Sequence, residues 1–97
     1  MTPEGKVKKQ IKAYLDELGC YHRWPVPTGF GKSGLDCYGC YKGRFFEVEI
    51  KRAGVFEPTP RQRMTIREVH AALGVAFTTD SVARCKKYFQ DHLGAPK

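Results

Sequence analysis

Acidic side chains are the scarce charge in this 97-residue chain, where 10 Asp and Glu stand against 17 Lys and Arg for a formal net charge of +7. That balance argues against a cationic partner and for a polyanion, with nucleic acid the first candidate. Long apolar runs are missing as well. No stretch approaches the length needed to cross a bilayer, and the start "MTPEGKVKKQ" has no apolar signal-peptide core, so a cytoplasmic protein with no membrane contact is expected. Repeats, low-complexity tracts and linkers are missing too, and the length leaves room for a single domain over residues 1–97. A core that small gains from a partner surface, which favours a homodimer. In a reducing cytosol the four cysteines, Cys20, Cys37, Cys40 and Cys85, read as thiols.

What is present is a regular succession of short elements. Val7, Ile11, Tyr14, Leu15 and Leu18 recur at helical spacing between Thr2-Pro3 and Gly19, which predicts a helix over 3–18 with a basic flank of Lys6, Lys8, Lys9 and Lys12. "CYHRWPV" (20–26) reads as a short strand, and "TGFGKSG" (28–34) as a glycine loop. Residues 35–41 and 45–51 read as a hairpin about a "KGR" turn at 42–44. Thr59-Pro60 opens a second helix to Leu73, "VAFTT" (75–79) is a fourth strand, and Asp80 is the expected cap of a last helix over 81–93. The predicted order is α-β-β-β-α-β-α.

Two motifs are set aside on physical grounds. Gly29, Gly31 and Gly34 match G-x-G-x-x-G, but a strand follows them where a phosphate site needs a helix N-terminus, so no nucleotide cofactor is expected. Lys32 and Ser33 in that loop remain candidates for a backbone phosphate. Cys37 and Cys40 have zinc spacing without a second ligand pair, and on a strand they point to opposite faces.

The hairpin holds a stronger constellation. In "FFEVEIKR" (45–52), strand alternation puts Glu47, Glu49 and Lys51 on one face and Phe46, Val48 and Ile50 on the other. Pairing about Gly43 places Asp36 opposite Ile50, between Glu49 and Lys51, so two carboxylates converge. Asp36 and Glu49, with the carbonyl of Ile50, suit a hard cation such as Mg²⁺ or Mn²⁺, and Lys51 could orient a water or offset charge on a phosphate. The same spacing also describes an exposed cross-strand salt bridge. A non-catalytic basic nucleic-acid-binding module is therefore the alternative reading. Lys6, Lys8, Lys9, Arg61 and Arg63 are further candidates for phosphate contacts, and Tyr14, Tyr21, Trp24, Phe30 and Tyr38 for stacking on unpaired bases.

The run "GLDCYGCYKGRFFEVEIK" resembles the PD-(D/E)XK nuclease signature, an Asp, a turn, then Glu-x-Lys, here Asp36 and Glu49-Ile50-Lys51. More narrowly the chain resembles the VRR-NUC branch, through Glu4 on the first helix, Gly34-Leu35-Asp36, and Thr59-Pro60-Arg61-Gln62 opening the second helix. The resemblance implies an α/β, restriction-endonuclease-like core with a mixed central sheet flanked by helices. It implies a metal-dependent endonuclease of bacterial or phage-infected cells, acting on branched DNA such as four-way junctions or flaps. Asp36 and Glu49 would then be metal ligands, Lys51 catalytic, and Gln62 and Glu4 supporting residues. Leu35 stands where that family carries Pro, and Glu47 where it is usually apolar. Glu4 also suits a helix N-terminus, and Thr59-x-x-Gln62 is also a capping box.

Overall fold

The computed structural model describes residues 1–29, 31, 34–55 and 57–97. Its elements are α1 (Pro3–Leu18), β1 (Tyr21–Arg23), β2 (Cys37–Tyr41), β3 (Arg44–Ile50), α2 (Pro60–Ala71), β4 (Val75–Thr79) and α3 (Val82–Leu93). The strands form one sheet in the order β1-β2-β3-β4, antiparallel through β3 and parallel between β3 and β4. The expected α/β architecture with a mixed sheet is therefore present. The parallel pair follows from the crossover: β4 returns beside β3 only after α2 has carried the chain back along the sheet.

Local chemistry sets most boundaries. Thr2 accepts the Gly5 N–H and Pro3 takes the first helical position of α1, while Gly19 ends it with φ 76°. Cys20 and residues 24–26, expected in the first strand, lie outside β1. Pro25 and Pro27 supply no N–H to extend it.

The hairpin turn is tighter than the three-residue reading. Tyr41 pairs with Arg44 and Cys37 with Val48, so only Lys42 and Gly43 turn, both at positive φ (47° and 84°). Positive φ at both central residues is the type I′ geometry whose twist matches the strands it joins. The whole register therefore shifts by one from the expected pairing. Extended one residue beyond β2, it sets Asp36 opposite Glu49 rather than Ile50, which strengthens their convergence because residues directly opposite share a face.

Two other expectations are corrected. Asp80 does not cap α3: Ser81, in extended conformation, accepts the Arg84 N–H on its hydroxyl. Asp80 is instead buried, takes the Gly54 N–H at 2.9 Å and pairs with Arg84 at 3.0 Å, which ties the loop after β3 to the start of α3. Helix α2 stops at Ala71, and Leu73 adopts φ 67° one residue before the Gly74 expected to end it.

The core lies on one face of the sheet. Cys37, Tyr41, Phe46, Val48, Ile50, Val75 and Phe77 meet Val7, Ile11, Tyr14 and Leu15 of α1 and Cys85, Phe89 and Leu93 of α3. Phe89 is the hub, with ring contacts to Tyr14, Tyr41, Phe46 and Phe77. Helix α2 buries no residue completely and lies over the other face, which stays partly open.

Candidate active site

The site is built at the open end of the β2–β3 hairpin. Alternation on β3 gives buried Phe46, Val48 and Ile50 and half-buried Glu47 and Glu49, the two-faced pattern read from the sequence. Asp36, one residue before β2, is fixed by its carboxylate: Oδ2 accepts the Ile50 N–H at 2.8 Å. That bond replaces the ladder hydrogen bond the strand end would otherwise lack.

Glu49 faces Asp36 at hydrogen-bonding reach. Its carboxyl is pushed up from 4.5 to about 7, chiefly by burial, then by the negative charge of Asp36 and a hydrogen bond with it; Lys51 and the Asp36 backbone N–H pull the other way. Crowding beside Asp36 in a half-desolvated position favours the protonated form of Glu49, and any competing cation relieves the same repulsion. Lys51 is half-buried, and its N–H continues the sheet by bonding the Thr79 carbonyl at 2.8 Å. Thr78 stands beside Glu49 on the parallel strand.

The donor set fits a hard divalent ion. Among the described residues no three His, Cys, Asp or Glu side chains converge as a metal-holding group, so a metal at this pair would have two carboxylates, with carbonyl and water oxygens completing its shell. That is the economy typical of Mg²⁺, which keeps several waters and binds through one or two carboxylates. In a strand the N–H and C=O of one residue leave on the same side, so the Ile50 carbonyl leaves β3 on the side of Asp36.

Two residues make contacts at the site that the sequence did not announce. Lys8, grouped by sequence with the basic flank, reaches Asp36 Oδ1 at 3.6 Å. Its signal was the four-residue spacing from Glu4, which places both on one face of α1. Glu4 is half-buried one turn before that cation. Glu47, an oddity by pattern, accepts the Leu35 N–H on Oε2 at 3.0 Å and so anchors the backbone next to Asp36. A Cβ on Gly34 would come within 3.1 Å of the same oxygen, so a larger residue there would press on the Glu47 carboxylate.

The remaining candidates divide. Gln62 closes a complete capping box: Thr59 Oγ1 takes its N–H at 3.2 Å, and its Oε1 takes the Thr59 N–H at 2.9 Å. Lys6, Lys9, Arg61 and Arg63 are exposed, the last pairing with Glu57 at 3.3 Å. Lys32, Ser33 and Phe30 lie outside the described residues. Tyr14 is core and Trp24 is half-buried, its Nε1 donating to His22, whereas Tyr21 and Tyr38 are exposed. Cys37 and Cys40 lie on opposite faces of β2 as expected, and burial pushes the thiols of Cys37, Cys85 and Cys20 up, which leaves them unreactive at neutral pH.

No protein-family model and no curated protein matches the sequence. Among solved structures, one described as "VRR_NUC domain" superposes with a TM-score of 0.77, covering 93% of this chain and 97% of its own at 23% identity. The chain has the fold of a VRR_NUC domain over nearly its whole length.

Proposed function

We propose that this chain is a VRR-NUC-type nuclease that hydrolyses phosphodiester bonds in DNA with Mg²⁺ or Mn²⁺, taking branched DNA such as four-way junctions or flaps. The observation that carries the reading is the Asp36–Glu49 carboxyl pair with Lys51 two residues on, set at the open end of a hairpin in this fold. A net charge of +7 gives such a site a polyanionic partner.

Asp36 and Glu49 would hold the ion, with the Ile50 carbonyl beside them. Bound there, Mg²⁺ or Mn²⁺ supplies Lewis-acid charge at a phosphate oxygen and acidifies water. The chain's own residues do the rest. The Ile50 N–H keeps the Asp36 carboxylate turned toward Glu49, and Glu47 holds the segment that delivers Asp36. Lys51 carries fixed positive charge to where negative charge develops on the phosphate, and orients the attacking water. Lys8 adds a second cation that can exchange its carboxylate partner for a phosphate oxygen. Lys6, Lys9 and Arg61 lie exposed for backbone contact, which positions DNA without reading its sequence. Gln62 supports from a distance by fixing the first turn of α2. Two chains related by a two-fold axis would present two such sites to a branched duplex, so the working unit is proposed to be a homodimer.

A panel of labelled duplex, flap and four-way DNA, incubated with EDTA, Mg²⁺ or Mn²⁺, tests the proposal. Metal-dependent cutting of branched DNA, over binding that weakens steeply with salt, is the expected result. Binding without cutting in any metal would leave the basic module as the function.

A further inference from the structure

The open face of the sheet carries more than the carboxyl pair. By the observed register, the side chains on that face run in cross-strand pairs from the site toward the turn: Asp36 with Glu49, then Tyr38 with Glu47, then Cys40 with Phe45. Tyr38 and Phe45 remain 38% and 41% exposed and stack on each other, ring centroids 6.4 Å apart at 25°. Beside them, where α2 fails to close on the sheet, lies a groove of about 440 Å³ lined by Gly34, Phe45, Glu47, Thr65, Glu68 and Val69, and continued by Ala72 and Gly74. We propose that this groove is a nucleobase subsite, which takes an unpaired base of the DNA strand whose phosphate lies at Asp36 and Glu49. The proposal deepens the nuclease reading and rests on it.

Four observations choose this occupant. The groove lies beside the site: Glu47 in its wall is two residues from Glu49 on the same face, about 7 Å at the usual strand rise, or roughly two stacked-base steps. Its aromatic wall lies close against the backbone, since a Cβ on Gly74 would come within 3.1 Å of Phe45 Cδ2 and 2.9 Å of Val69 Cγ1. Base stacking on such a ring tolerates any base, because every base has a π-face. The charge inside is the reverse of the charge outside. Glu47 sets a carboxylate in the wall of the groove in a protein with net charge +7, so a phosphate is disfavoured there while a neutral base is not. Carboxylates also accept from exocyclic amines, so adenine or cytosine is taken in preference to thymine. The volume, finally, is in the range of small-ligand pockets and holds one flat ring system.

A base inside a duplex cannot enter; one at a junction or flap is already unstacked and enters at little expense of pairing energy. The groove thus makes recognition of branched DNA a matter of one extruded base next to the cut.

The test uses flap DNA with 2-aminopurine unpaired at the branch point, the same DNA with that position paired, and an abasic version. Binding is read by fluorescence in EDTA and cutting separately in Mn²⁺. Stacking should quench the unpaired probe and not the paired one, and unlabelled adenine or cytosine flaps should compete better than thymine and far better than abasic ones. Phe45→Leu, which keeps apolar bulk and removes the ring, and Ala72→Leu, which narrows the groove from an exposed rim position, should each weaken base-dependent binding by at least about fivefold. Each should leave binding to the abasic flap unchanged. Cutting retained with no quenching, or an abasic flap bound as well as a base-bearing one, overturns the subsite and spares the nuclease. Quenching lost in both variants but no cutting on any DNA overturns the nuclease and keeps a base-binding groove.

Discussion

The two faces of the sheet are made of the same strands and obey opposite rules. On the face under α1 and α3, Ile11, Leu15, Phe46, Val48, Ile50 and Phe89 are fully buried, and each could be exchanged for another apolar residue of its size with modest effect. On the face under α2, the same strands present Glu47, Glu49, Tyr38 and Phe45, half-buried or exposed, each tied to a particular partner. One face needs volume and the other needs identity. Stability is concentrated where chemistry is absent, and the half-open face is left free to hold charges that a closed core would force out.

The sharpest way to break this comparison is to mutate each face in turn. Asp36→Asn, Glu49→Gln and Lys51→Met should each lower cleavage by about 10³-fold or more while thermal unfolding stays within a few degrees and branched DNA is still bound. Phe89→Ala should do the reverse. Removing the hub of the aromatic cluster costs about 3–5 kcal/mol by denaturant unfolding, while any molecules that remain folded keep an intact site. Cleavage that survives in all three site variants would reduce the open face to a wet surface.

A second prediction turns on pH. Glu49 binds its proton more tightly folded, near 7, than unfolded, near 4.5. Its contribution to stability is therefore fully present below about pH 4.5 and is lost as pH rises through about 7. Metal affinity runs the other way, rising toward pH 7 as Glu49 gives up the proton and levelling above it. Melting curves in EDTA and in Mn²⁺ across pH 5–8 check both limbs, and Glu49→Gln should abolish this pH dependence.

The smallest effect concerns Gln62, whose side chain closes the capping box of α2. Gln62→Ala opens the capping box and should cost about 1 kcal/mol in stability, with cleavage changed less than threefold. A loss of cutting far beyond that at full folding would move Gln62 into the catalytic group.

How much of this was legible follows the same division. Periodicity announced every element and the buried face of β3, because burial is what a repeating pattern encodes. The Thr59-x-x-Gln62 box was readable as a cap because it is local. The pairing of Asp36 with Glu49 was legible only to within one residue, since Lys42 at positive φ is a conformation that the sequence does not advertise for a lysine. The contacts of Lys8 and Glu47 escaped, because their partners, Asp36 and the Leu35 N–H, come from other segments. Asp80 misled for the same reason: it looks like a helix cap and spends its carboxylate on a distant loop.

The type I′ turn has a further consequence, for the order in which the molecule assembles. Hairpin closure about two residues is a microsecond event, whereas β4 can join β3 only after α2 and its crossover are in place, and non-local pairing of that kind is slow. Asp36 and Glu49, at the open end of that hairpin, can thus be brought together by local pairing before β4 joins the sheet. If the hairpin belongs to the folding transition state, their repulsion slows folding as well as loosening the native state, and stopped-flow refolding in EDTA should then quicken as pH falls from 7 toward 5.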